Sequence, residues 1–101
     1  MKQGKLVRDN IPQIILDDGK IPITRILSDE EYLVELDKKL TEEVMEYQAD
    51  KALEELADIL EVLLAICEAR GYCIEDLIEV RNRKREQRGG FEKKIFWSGN
   101  K

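Results

Sequence analysis

No histidine occurs among the 101 residues, and cysteine occurs only twice, as Cys67 and Cys73. Without histidine the chain cannot build a common type of zinc site or give a serine or cysteine nucleophile its usual partner base. The two cysteines lack the density and setting of a disulfide scaffold, and nothing calls for an oxidising compartment. Cys67 falls in an apolar helical stretch and reads as a small buried hydrophobe. Long apolar runs are missing too, since none reaches the roughly twenty residues of a transmembrane helix. No signal-peptide pattern opens the chain, so a cytoplasmic protein without a membrane partner is expected. Gly89-Gly90 suits a helix stop or tight turn, not a phosphate-cradling loop. There is no P-loop string and no G-x-G-x-x-G. Covalent catalysis has no strong candidate.

Charge is what the chain has in quantity. Charged residues make up 39% of it, with a formal net charge of -5. They are unevenly placed. Asp29 to Glu61 holds thirteen acidic residues against three lysines, whereas Arg81 to Lys94 holds seven basic against two acidic. An acidic cradle beside a basic strip suits a ligand that is itself anionic and metal-bound, such as a polyphosphate. A stable nucleic-acid complex is disfavoured, because the acidic bulk would repel the backbone. The length suffices for one domain, residues 1–101, and is too short for two cores.

Local signals predict an all-α protein. Asp9 is placed to cap a brief helix from Asn10 to about Leu16, with Pro12 tolerated in its first turn. Asp17 to Lys20 reads as a turn and Ile21 to Leu27 as a short extended piece. Ser28 and Glu31 have capping-box spacing, and Leu27 and Tyr32 stand where a hydrophobic staple would join them. The first long helix is expected from Asp29 to about Gln48, with Ala49-Asp50 beginning the connection. A second runs from about Lys51 to Ala69, stopped by Gly71. A third starts near Ile74, with Glu75 and Asp76 in its first turn and basic residues at its end. The tail from Phe91 to Trp97 is an extended segment or a tethered loop. The expected architecture is an antiparallel bundle of three main helices plus short N-terminal elements. The second long helix is apolar on more sides than two neighbours can cover, so oligomerisation, as a homodimer or higher homo-oligomer, completes the bundle.

Two carboxylate pairs stand out on those helices. Glu43 and Glu46 lie in TEEVMEYQAD, Glu55 and Asp58 in LEELADILEVLLAI, each pair at i,i+3 and so on one helical face. At 100° per residue Leu36, Leu40, Val44 and Tyr47 form an apolar stripe, with Glu43 inside it and Glu46 at its edge. Glu55 and Asp58 likewise interrupt an apolar surface. A solvated helix would put such residues on its far side. A short connection folds two helices back antiparallel, which brings four carboxylates towards one volume. Burying them unpaired would cost several kcal/mol, roughly that of an uncompensated charge. Cations relieve that cost, and all-oxygen ligation selects a hard ion such as Mg²⁺. The competing explanation is an ordinary charged surface with i,i+4 ion pairs.

Basic residues supply the complement. In VRNRKREQRGGF, Arg81, Lys84 and Arg88 make one cationic face. Lys84 and Arg88 suit nonbridging phosphate oxygens, and Asn82 a base, a sugar hydroxyl or a metal-bound water. The same residues would also serve as dipole partners at a helix C-terminus. Lys5 and Arg8 in GKLVRDNIP are further candidates for phosphate contact. Tyr47 and Trp97 are the aromatics best placed for base stacking, with a core role and a tail anchor as the plainer roles.

In these residues the chain resembles the all-α nucleoside triphosphate pyrophosphohydrolase superfamily, specifically its MazG-like and phosphoribosyl-ATP pyrophosphohydrolase-like members. The matching signature is Glu43-Val44-Met45-Glu46 followed by Glu55-Leu56-Ala57-Asp58, and Asn82, Lys84 and Arg88 meet the N-x-K-x-x-x-R pattern of the basic helix. The opening KLVRDNIP, the helix start SDEEYLVEL and the closing RGGFEKKIF resemble a small single-domain subgroup, so the likeness covers nearly the whole chain. The carboxylate motif is fairly specific; the basic motif alone is not. One departure is the eight-residue connection from Tyr47 to Glu54, shorter than in the MazG pattern, which leaves room for a different substrate.

The resemblance implies a metal-dependent hydrolase that cuts an α–β phosphoanhydride into a nucleoside monophosphate and pyrophosphate. Glu43, Glu46, Glu55 and Asp58 would hold Mg²⁺, with Mn²⁺ as a substitute, and one of them would position or deprotonate water. Glu42 is the second choice for water activation. Lys84 and Arg88 would neutralise phosphate oxygens. A site without strong base-reading signals favours a house-cleaning role on noncanonical nucleoside triphosphates. Phosphoribosyl-ATP hydrolysis in histidine biosynthesis is the enzymatic alternative, and a non-catalytic helical interaction or regulatory module the alternative from another class.

Overall fold

Ser28 starts the longest helix of the chain by local chemistry alone. Its hydroxyl accepts from the Glu31 backbone N–H at 3.2 Å, and the Glu31 carboxylate accepts from the Ser28 N–H at 3.1 Å. This is the capping box expected from S-x-x-E, and it satisfies two donors that the helix leaves open. Arg25 adds a two-pronged contact to the same carboxylate, at 2.9 and 3.2 Å. The Arg25 guanidinium and the Ser28 N–H hold the Glu31 carboxyl down at about 2.

The computed structural model describes residues 4–101, which fold into four α-helices: α1 (Ile11–Asp17), α2 (Asp29–Asp50), α3 (Leu53–Ala69) and α4 (Ile74–Arg88). No strand occurs among the described residues. The all-α expectation stands, with three local corrections. Asn10, not Asp9, occupies the N-cap of α1, and no side chain caps it, because its backbone is already helical and cannot turn a side-chain oxygen onto the first turn. Ile21 to Leu27, expected as a short extended piece, joins α1 to α2 outside any helix. α2 also runs on through Ala49 and Asp50, since nothing there breaks a helix; the break comes at Lys51, whose φ of 58° is left-handed. That moves the start of α3 to Leu53.

Gly71 ends α3 as the spacing predicts. Its own N–H bonds the Glu68 carbonyl at 3.0 Å and the Tyr72 N–H bonds the Cys67 carbonyl at 2.9 Å. Those two bonds, with Gly71 at φ 81°, make a Schellman stop.

α2 and α3 lie side by side as an antiparallel hairpin with a two-residue connection. Arg70, just beyond α3, bridges Asp37 in the first half of α2, while Glu46 and Glu55 meet near the turn. The apolar stripe of α2 faces this contact: Leu36 is buried, and Leu40, Val44 and Tyr47 are partly covered. Val62 and Cys67 are the buried positions of α3. Burial pushes the Cys67 thiol up, as suits a core residue and not a reactive one.

The rest of the chain is open. α4 touches α3 only, and α1 packs on no other helix, so one chain does not close the expected three-helix bundle. The reason is visible in α4 itself. Its apolar residues Leu77, Ile78 and Val80 sit in its first half, and the run from Arg81 to Arg88 offers no apolar stripe to bury. The radius of gyration is 17.9 Å, against about 13 Å for a compact chain of this length. Ile21, Ile23 and Ile26 before α2, and Phe91, Ile95 and Phe96 after α4, are almost fully exposed. No helix among the described residues is long and apolar enough to cross a membrane.

Candidate metal centre

The tight turn between α2 and α3 sets which positions of the two helices face each other. Glu43 and Glu46 come from the last two turns of α2, and Glu55 and Asp58 from the first turns of α3. One oxygen from each of the four lies within 4.8 Å of the others. Every member of the set predicted from sequence is in it.

Burial differs across the four. Glu43 is only 6% exposed, Glu55 and Asp58 are partly buried, and Glu46 is open to solvent. Glu43 Oε2 and Glu55 Oε2 are buried and accept no hydrogen bond. An unsatisfied buried acceptor costs about 1–3 kcal/mol, and more when charged. Desolvation accordingly raises the carboxyl pKa of Glu43, against the pull of Lys39, and Glu46 beside it raises it further. Desolvation also raises Glu55, and the charges of Asp50, Asp58 and Glu43 add to the effect. Buried, unpartnered, like-charged oxygens are the donor set that a hard divalent cation satisfies. The residues fit such an ion.

Cationic side chains surround this group. Lys39 reaches forward along α2 to Glu43 Oε1 at 3.2 Å and to Glu42 Oε2 at 3.5 Å. Sequence reading passed over Lys39, although its i,i+3 and i,i+4 spacing to two glutamates was the available signal. Lys5 donates to Glu42 Oε1 at 3.1 Å, and Arg8 donates to Asp58 Oδ1 at 2.7 Å. The hydrogen bond to Glu42 raises the Lys5 pKa, and the charges of Glu46 and Glu43 raise it further. Lys5 and Arg8 thus lie at the carboxylate group, held there by acidic side chains.

Glu42 lies outside the four. Burial pushes its carboxyl up, but the lysines at positions 5 and 39 more than offset this and hold it below the usual range. That environment makes Glu42 a poor proton acceptor.

The basic helix is placed elsewhere. Asn82 accepts from Arg81 at 2.9 Å. Among the described residues Lys84 and Arg88 form no ion pair, and Arg88 borders a surface hollow with Gly90 and residues 91–95. α4 makes no contact with α2, so within one chain Asn82, Lys84 and Arg88 are not gathered with the carboxylates. Tyr47 stacks under Lys51, 5.4 Å from ring centre to Nζ, at the hairpin turn. The Trp97 ring nitrogen donates to Asn100 in the tail.

A protein of Mycolicibacterium smegmatis described as uncharacterized is 52% identical over 55 residues, half of this chain. The match spans 56% of that relative's length. No family model and no solved structure matches the chain.

Proposed function

We propose that the chain is a Mg²⁺-dependent nucleotide pyrophosphohydrolase. The observation that supports this best is the convergence of Glu43, Glu46, Glu55 and Asp58 from two helices, with two buried oxygens left unpartnered. These four carboxylates hold the cation, with Mn²⁺ as a substitute. Bound there, a divalent ion orients phosphates, activates water and offsets charge that develops on the leaving oxygens. The reaction is attack of water on the α-phosphorus of a nucleoside triphosphate, which breaks the α–β anhydride and releases the monophosphate and pyrophosphate. Glu46 is the exposed member of the four, so the group is reached from solvent at that residue. Noncanonical nucleoside triphosphates are the proposed substrates.

A substrate panel tests this. Pyrophosphate released with Mg²⁺ from standard, oxidised and deaminated (d)NTPs, dUTP and phosphoribosyl-ATP is compared at equal concentration. We expect pyrophosphate without stepwise orthophosphate, and faster turnover of modified than of standard nucleotides. A large preference for phosphoribosyl-ATP over every (d)NTP would move the chain to histidine biosynthesis instead.

The proposed working form is a homodimer or higher homo-oligomer. The chain exposes 9315 Å², against about 5,900 Å² for a compact monomer of this mass. The excess is larger than the share one partner contributes to most obligate interfaces, about 1,000–2,500 Å² a side, so a second copy has ample surface to cover. Leu53, Leu56, Leu60 and Leu63 give α3 an uncovered apolar face suited to a second copy. Such a bundle is also where Lys84 and Arg88 can approach a carboxylate centre. Light scattering at micromolar protein should give at least twice the monomer mass, persisting at high salt because the contacts are apolar. A monomeric mass with full activity refutes the shared bundle.

A further inference from the structure

Asp58 is claimed twice. It belongs to the four-carboxylate group, and it also accepts a short hydrogen bond from Arg8 at 2.7 Å. Arg8 reaches it from fifty residues away, and the described residues before α1 form no helix or strand. Lys5, on the same segment, is tied to Glu42 next to the group. α1 packs on no other helix, so these ion pairs are the main polar ties between the N-terminal segment and the hairpin. Both basic side chains remain more than half exposed. Exposed pairs of this kind add little to stability. The segment is therefore held in place but is cheap to release.

We propose that Arg8 is a displaceable counter-cation of the carboxylate centre, competing with the divalent cation for Asp58 and passing to the phosphate oxygens of the substrate once displaced. The inference rests on the metal-dependent reading above. Two cations of different kind converge on one carboxylate, and repulsion between them favours release of the weaker. A guanidinium freed at that position carries a planar fork of donors, the geometry that matches two oxygens of a phosphate. Lys39 cannot make the same move, because it is short-tethered on α2 and mostly buried beside Glu43. Arg8 is thus a substrate-binding residue that couples cation loading to phosphate binding.

Calorimetric titration of the full chain with Mn²⁺ tests the competition, using wild type, Arg8→Ala and Lys5→Ala. Arg8→Ala should bind Mn²⁺ more tightly, by about two- to fivefold, the equivalent of one exposed ion pair. Lys5→Ala removes a nearby charge but leaves Asp58 with Arg8, and should change affinity less. In wild type, Mg²⁺ should move the Arg8 side-chain Nε–H resonance in the NMR spectrum towards its solvated position, a readout that needs no variant to fold. With nucleotide, Arg8→Ala should raise KM about tenfold with kcat nearly unchanged, and Arg8→Lys should recover part of the loss. Unchanged or weaker Mn²⁺ binding by Arg8→Ala, equal effects from both variants, or an Arg8 resonance indifferent to Mg²⁺ overturns the competition while the metal centre stands. Wild type that binds no Mn²⁺ removes the centre and the competition together.

Discussion

Replacing Glu55 or Asp58 by alanine should lower Mg²⁺-dependent pyrophosphate release by at least about a thousandfold, in line with the loss of a group that fixes developing charge. The fold should survive. Alanine is the strongest helix former, so α3 keeps its propensity at either position. Glu55 Oε2 is buried without a partner, and Glu55 and Asp58 carry like charge at close range. Removing either therefore relieves repulsion instead of breaking a supporting contact; Asp58 loses only its partly exposed pair with Arg8. Steady-state release of pyrophosphate, with circular dichroism on the same samples, separates lost chemistry from lost structure. Full activity in both variants would sink the hydrolase reading.

The second large effect is on stability. A ligand at about a hundred times its Kd stabilises the state that binds it by about 2.7 kcal/mol. For a domain of this size each kcal/mol moves Tm by about 4–8 °C. Saturating Mg²⁺ should therefore raise Tm by about 10 °C or more, and a chelator should return it. Glu43→Gln sharpens the test. Glu43 is the most buried of the four, and the amide keeps its shape while removing a charge that burial disfavours. The variant should be at least as stable as wild type without metal and lose most of the Mg²⁺ response. A protein indifferent to Mg²⁺ and Mn²⁺, alone and with nonhydrolysable nucleotide analogues, would be the helical interaction module instead.

Much of this was legible along the chain because it is local. Ser28 and Glu31 cap each other across three residues, and Gly71 stops α3 within five. The apolar stripe of α2 and the glutamate inside it follow from the 100° step alone. Two i,i+3 pairs on helices joined by a short turn were enough to predict four converging carboxylates. The local errors have local causes. Asp9 has the chemistry of a cap, but the backbone is already helical at Asn10, the residue that holds the cap position. Lys51 takes a left-handed conformation that its side chain does not advertise.

What the sequence determined by itself is which stretches are helical, the capping box at Ser28, the stop at Gly71 and the inward place of Glu43 on α2. These depend on neighbours within about one or two helical turns, and the order of residues carries that information directly. Only the tertiary structure decided that Arg8 sits on Asp58 and Lys5 on Glu42, across fifty and thirty-seven residues. It also decided that α4 leaves α2 untouched and keeps Asn82, Lys84 and Arg88 apart from the carboxylates of the same chain. A basic motif fixes the chemistry of a helix face but not its neighbour. The neighbour is set by apolar area, and α4 has too little of it beyond Val80 to fold back onto the hairpin.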